Sequence, residues 1–206
     1  MTVDLLNAAG TVVDSADDAY DLDTVMPFIA IDCNGASNGQ TFYLRINRGT
    51  VDPSEAMYVS YSFNNRIKTG SKAFDYSGTA SNPGNSSMNT AGVDSSVLTL
   101  NLTNSTQIPN NAIVESVTTS GTQSPSQGNV KHKIMPANPG TWFTSIVTSA
   151  SSGSYNINLS NGIAAKQIWQ FKYNALATAA STMKSVKLTI HWEYDLHNTG
   201  YKTFTP

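Results

Sequence analysis

The stretch Val186-Lys187-Leu188-Thr189-Ile190-His191-Trp192-Glu193-Tyr194-Asp195-Leu196 decides the fold class. Val186, Leu188, Ile190, Trp192, Tyr194 and Leu196 recur at every second position, with Lys187, Thr189, His191, Glu193 and Asp195 between them. Successive side chains of a strand point to opposite faces, so this alternation makes one apolar face and one wet face. A helix would need apolar residues at i+3 as well as i+4, and here the i+3 positions Thr189, His191, Glu193 and Asp195 are all polar. The run is about twice the usual strand length, which predicts a strand crossing the middle of a sheet. Its large apolar side chains each contribute roughly 1.5–3 kcal/mol on full burial, so a second sheet must cover them.

Working outward, the same period recurs upstream. Thr41–Ile46 sets Phe42, Leu44 and Ile46 on one parity, and Met57–Phe63 does so with Met57, Val59, Tyr61 and Phe63. Val97–Leu102, Ile108–Val117, Val130–Met135, Trp142–Thr148, Tyr155–Leu159 and Ile168–Tyr173 read as further strands, separated by Gly-, Pro-, Asn- and Ser-rich turns. Asn174–Thr182, rich in alanine, is the one stretch with helical character. The predicted class is all-β: an antiparallel β-sandwich, jelly-roll-like, with one short helix before the last strand. Residues 1–24 are set apart as an acidic N-terminal arm, and 25–206 form a single sandwich domain. Thr69 to Ser95 is too long and sparse for an ordinary connection. It and the N-terminal arm are predicted to be ordered by neighbouring copies rather than by the chain's own core.

The 206 residues suffice for one large β domain with a substantial core. Only 13% of them are charged, about half the ordinary globular share, so Ser, Thr, Asn, Gln and Gly must make the surface. Such neutral surfaces accompany extracellular proteins and packed assemblies. A net charge of −2, three arginines (Arg45, Arg48, Arg66) and no basic arm argue against direct nucleic-acid binding. Cys33 is the single cysteine and has no internal disulfide partner. The start Met1-Thr2-Val3-Asp4-Leu5-Leu6-Asn7 has neither the basic nor the apolar region of a signal peptide, and no run is long enough for a membrane span. Taken with Met1 as the initiator, this predicts a protein made in the cytoplasm of its cell.

Several constellations could carry chemistry, and each has a plainer explanation. Asp14, Asp17, Asp18, Asp21 and Asp23 crowd one stretch, but it lacks the D-x-D-x-D-G order and distal Glu of a calcium loop. His191, Glu193, Asp195 and His197 share a parity, yet at ~3.4 Å per residue the row is about 20 Å long, too long for one ion. It reads as a solvated face. No G-x-S-x-G elbow and no phosphate-cradling glycine loop is present. Trp142, Trp169 and Trp192 could stack on sugars, but each sits on an apolar parity that favours the core. The sequons at Asn85, Asn101, Asn104 and Asn158 matter only in a secretory pathway. No catalytic, cofactor-binding or metal-ligating residue is assigned, no cofactor is implied, and no enzymatic activity is expected.

The closing segment Ser185–Asp195 resembles the last strand of jelly-roll virus coat proteins, and Ile108–Val117 resembles strand starts in extracellular and virion β-sandwiches. The acidic N-terminus departs from the basic arm of many small RNA-virus coats. The resemblance implies a virion structural protein, a bacteriophage or virus capsid, decoration or other virion-surface subunit, acting by self-assembly. Its partners would be copies of itself and other virion proteins. The alternatives are a bacterial surface adhesin, pilus subunit or carbohydrate-binding module at the cell surface, with a host-surface glycan as partner, and thirdly a glycan-acting enzyme.

Overall fold

The computed structural model describes residues 2–17, 41–48, 52–54 and 67–195. The chain divides into two compact units, Met1–Lys68 with Asp195–Pro206, and Thr69–Tyr194. Every pairing with a given register is antiparallel, and the only helical turn among the described residues is the 3-10 turn Leu159–Asn161.

In the first unit, β1 (Thr2–Asn7) lies between β2 (Val12–Asp17) and β3 (Phe42–Asn47). Val3, Leu5 and Leu6 are buried. Two consecutive leucines can both turn inward because the register slips between them, an irregularity of the β-bulge kind. On the opposite parity Asp4 sits between its register partners Ser15 and Arg45. It accepts hydrogen bonds from Ser15 Oγ at 2.7 Å and from Arg45 Nη2 at 2.7 Å. The hydrogen bond from Ser15, then that from Arg45, holds its carboxyl below the usual range. Of the acidic N-terminal arm, residues 2–17 form two strands of this sheet, and residues 18–24 lie outside the described residues.

The second unit is the sandwich. One sheet has the order β11 (Ser152–Ser154), β8 (Ile113–Ser124), β13 (Ser181–Asp195), β4 (Ile67–Asp75), with β5 (Ala80–Asn82) also on β13. The other has β10 (Phe143–Thr144), β9 (Val130–Pro136), β12 (Ile168–Ala175), β6 (Val93–Asp94), with β7 (Leu98–Asn101) also on β12. Both inner faces follow the period of two. Trp169, Phe171, Tyr173 and Ala175 of β12 meet Val186, Leu188, Ile190 and Trp192 of β13 in one core cluster.

The final strand is longer than its apolar alternation suggests, beginning at Ser181. Its parity switches at Ser185, which has φ +51°. Lys184 faces Thr122 and Lys187 faces Ser120, so an extra residue is inserted. That bulge lets Met183 and Val186, three positions apart, both reach the core. The expected helix at Asn174–Thr182 is absent. Asn174 and Ala175 end β12, Ser181 and Thr182 begin β13, and the residues between form their connection. Alanine's helix propensity yields here to the pairing of Ala175 with Val130 and Val93.

The 69–95 stretch is likewise not a loop waiting for a neighbour. It supplies β4, β5 and β6, and buries Phe74, Tyr76 and Ala80. Asn side chains do the work that apolar spacing does elsewhere. Asn82 donates to Val93 O, and Asn85 donates to Asn89 O and Leu176 O while accepting from Asn89 N. Two other readings shorten: only Phe143–Thr144 of Trp142–Thr148 pairs, and Tyr155–Leu159 gives way to the 3-10 turn. Met57–Phe63 lies outside the described residues.

Candidate functional site

The final strand's outer face tests the first metal-like row. His191 is exposed, with Nε2 3.4 Å from Ser71 Oγ, and Glu193 and Asp195 are half-buried beside it. His197 lies outside the described residues. Asp14 and Asp17 fall on β2, while Asp18, Asp21 and Asp23 also lie outside. Among the described residues no group of three His, Cys, Asp or Glu side chains is placed to hold a metal ion. Nor is any helix among them long and apolar enough to cross a membrane. Of the sequons, Asn85 is 2% exposed, whereas Asn101, Asn104 and Asn158 are at the surface.

The tryptophans separate. Trp169 and Trp192 are core residues. The Trp169 indole donates to Ala165 O at 3.1 Å. The Trp192 ring lies across Gly70, where a Cβ would come within 2.7 Å of it. Trp142 is instead half-buried, with Lys172 Nζ 4.2 Å from its ring centroid, a cation–π contact.

That contact opens onto a charged face built by β6, β9 and β12. Lys133 and Lys172 are register partners, and Asp94 is held on the other side of β12 opposite Asn174. Asp94 accepts from Lys133 Nζ at 2.8 Å and from Asn174 Nδ2 at 2.8 Å, and pairs with Lys172 Nζ at 2.6 Å. Burial pushes its carboxyl up, but the hydrogen bonds from Lys133, Lys172 and Asn174 outweigh that and bring it to about 2. Two ammonium groups on one carboxylate leave the network positive. Lys131 stands exposed on the same parity of β9, and Met135 is half-buried on it.

A second polar group sits inside the sandwich. Thr119 of β8 places Oγ1 2.9 Å from His132 Nδ1 of β9 and 2.8 Å from Tyr155 OH, tying the two sheets together. Phe171 packs edge-on to the His132 ring at 5.3 Å and tilted to Tyr76 at 5.7 Å. His132 is fully buried, and burial brings its imidazole down to about 4. Burial also drives the Tyr76 and Tyr155 phenols above the usual tyrosine range. Among the described residues His132 Nε2, Tyr76 OH and Trp192 Nε1 are buried without a hydrogen-bond partner. The Thr119–His132 spacing is that of a nucleophile and its base, but Thr119 is 3% and His132 0% exposed. A substrate carbonyl has no way to that hydroxyl, so the group cross-links the core.

Sequence reasoning missed both groups. His132 carried a signal, since it alternates with Val130 and Ile134. Asp94 carried none, because only the folding of 76–95 brings it to two lysines that lie 39 and 78 positions away.

No family model matches this chain. Over 196 residues it is 41% identical to the uncharacterized protein YbdN of Bacillus subtilis (strain 168), an alignment covering 95% of this chain and 68% of the relative. Identity at that level over nearly the whole chain places both units, and not the sandwich alone, within the shared region: the chain belongs to the same family as YbdN.

Proposed function

We propose that this chain is a virion-type structural protein, a bacteriophage or virus capsid, decoration or other virion-surface subunit, that acts by self-assembly and without catalysis. The observation that carries the reading is the order of strands. Counting β4 with β5 and β6 with β7 as single positions, the sheets run β4/β5–β13–β8–β11 and β6/β7–β12–β9–β10. The chain crosses between sheets at nearly every connection, the order expected of a jelly roll, a fold used by capsid and lectin domains. A close-packed core joined through Thr119, His132 and Tyr155 supports a rigid building block. Fold alone supports many functions, so the test is assembly itself. Purified chain, raised in concentration and followed by sedimentation velocity and negative-stain microscopy, should form particles or filaments of uniform subunit spacing. A chain that stays monomeric up to about 1 mM, in the range of weak contacts, would refute the reading.

A second reading is favoured by Trp142, whose ring lies outside the core. A bacterial surface module could stack a sugar there, with Lys172 as a polar neighbour. Glycan-array binding lost on Trp142→Ala, by a monomer, would support it over assembly.

A further inference from the structure

The charges of this chain are divided unequally between its units. Residues 69–194 carry seven lysines, two aspartates, two glutamates and no arginine. Residues 1–68 with 195–206 carry nine aspartates, one glutamate, three arginines and two lysines. A net charge of −2 for the whole chain therefore conceals a basic sandwich and an acidic companion.

On the sandwich the excess gathers on one side. The outer face of β9 and β12 presents Lys131, Lys133 and Lys172, with Asp94 as the carboxylate they share. The opposite sheet is balanced: within residues 69–194, β4, β8 and β13 carry Lys72, Lys184 and Lys187 against Asp75, Glu115 and Glu193, and Lys187 pairs with Asp75. Lys133 and Lys172 are 21% and 17% exposed at the side chain, held in place by Asp94 and by the Trp142 ring. Aromatic and Met side chains are enriched in contact surfaces, and Trp142 and Met135 supply them here.

We infer that this lysine face is the contact surface for the acidic unit of a second copy of the same chain. The inference rests on the self-assembly reading above and names the surfaces through which assembly runs. Two such faces brought together would oppose lysine to lysine, which electrostatic complementarity disfavours. The favourable contact joins unlike surfaces, acidic unit to basic face. A contact between unlike surfaces is heterologous, and such contacts repeat. They close into a ring or continue as a filament.

Sedimentation velocity of the full chain between about 50 and 500 mM NaCl tests it, because the Debye length falls about threefold over that range. Self-association should weaken by about tenfold or more. Lys131→Glu reverses an exposed charge on the face and should weaken association about fivefold at low salt. Lys184→Glu makes the same change of net charge on the other sheet and should leave it within about twofold. Asp94→Asn removes the shared negative charge and should tighten it. Assemblies that form equally well at all salt concentrations, or that respond equally to Lys131→Glu and Lys184→Glu, would overturn this contact while leaving self-assembly standing. A monomer at every salt concentration would overturn both. A monomer that binds heparin through Lys131 would overturn it in favour of a polyanion partner.

Discussion

Replacing His132 by methionine should remove most of the acid sensitivity of the sandwich. His132 is wholly buried, its imidazole lowered from 6.5 to about 4 by burial. The groups facing it are Thr119, Tyr155, Phe171 and its register partner Tyr173, none of them charged between pH 4 and 7. Lys131 and Lys133, beside it in sequence, are on the outer parity of β9. Above pH 6.5 the imidazole is neutral whether the chain is folded or not, and contributes no pH dependence. As pH falls below 6.5 the unfolded chain takes up a proton that the folded chain refuses until about pH 4. Stability therefore declines by about 1.4 kcal/mol per pH unit across that window, approaching about 3 kcal/mol in all. Asp94 lies below the window, since its carboxyl, lowered from 3.8 to about 2, costs stability only as pH falls through that lower range. All three tryptophans belong to residues 69–194, so urea unfolding followed by their fluorescence reports the sandwich alone. The variant should be less stable at pH 7.5 by about 1 kcal/mol for the lost Thr119 contact, yet nearly flat from pH 6.5 to 4. His191 and His197 remain in both proteins and cancel in the comparison. Parallel slopes for wild type and His132→Met would refute the reasoning.

Three further outcomes are expected. Trp192→Ala should destabilise by roughly 3–5 kcal/mol and His191→Ala by less than about 0.5 kcal/mol, because the two adjacent side chains occupy opposite faces of β13; equal shifts in denaturation midpoint would mean the faces are wrong. Gly153→Ala should cost about 1–3 kcal/mol, since a Cβ there meets His132 Cβ at 2.8 Å, Thr119 Oγ1 at 2.8 Å and Tyr155 OH at 2.9 Å, while Gly128→Ala, with nothing within 4 Å, should be nearly neutral by the same assay. Amide hydrogens of β4 and β5 that pair with β13 should be protected from exchange in the isolated chain at low concentration, because the sandwich itself supplies their acceptors.

The alternation from Val186 to Trp192 required a strand with one buried face, and the seven-residue spread of that pattern is enough to require a covering sheet. That inference is local: side-chain direction along a strand follows from backbone geometry, whatever the partner. The same holds for β12, where Trp169, Phe171 and Tyr173 alternate without interruption, and for the inward placement of His132 between Val130 and Ile134. Ala-rich 174–182 misled for the converse reason. Helix propensity amounts to a few tenths of a kcal/mol per residue, and strand pairing on both sides of Ala175 exceeds it.

What only the tertiary structure decided depends on residues distant in sequence. The 76–95 segment has too few apolar residues to show a period, and its order comes from Asn82 and Asn85 bonding backbone atoms that folding brings near. The bulge at Ser185 is a matter of register with β8, invisible in a single strand's pattern. The charged face needs Asp94, Lys133 and Lys172 to converge from three strands, and the core cross-link needs Thr119 and His132 to meet across two sheets. Periodicity records which way a side chain points. Which other side chain it meets there is settled by the order of strands, and the sequence carries that order only through the sum of all its contacts.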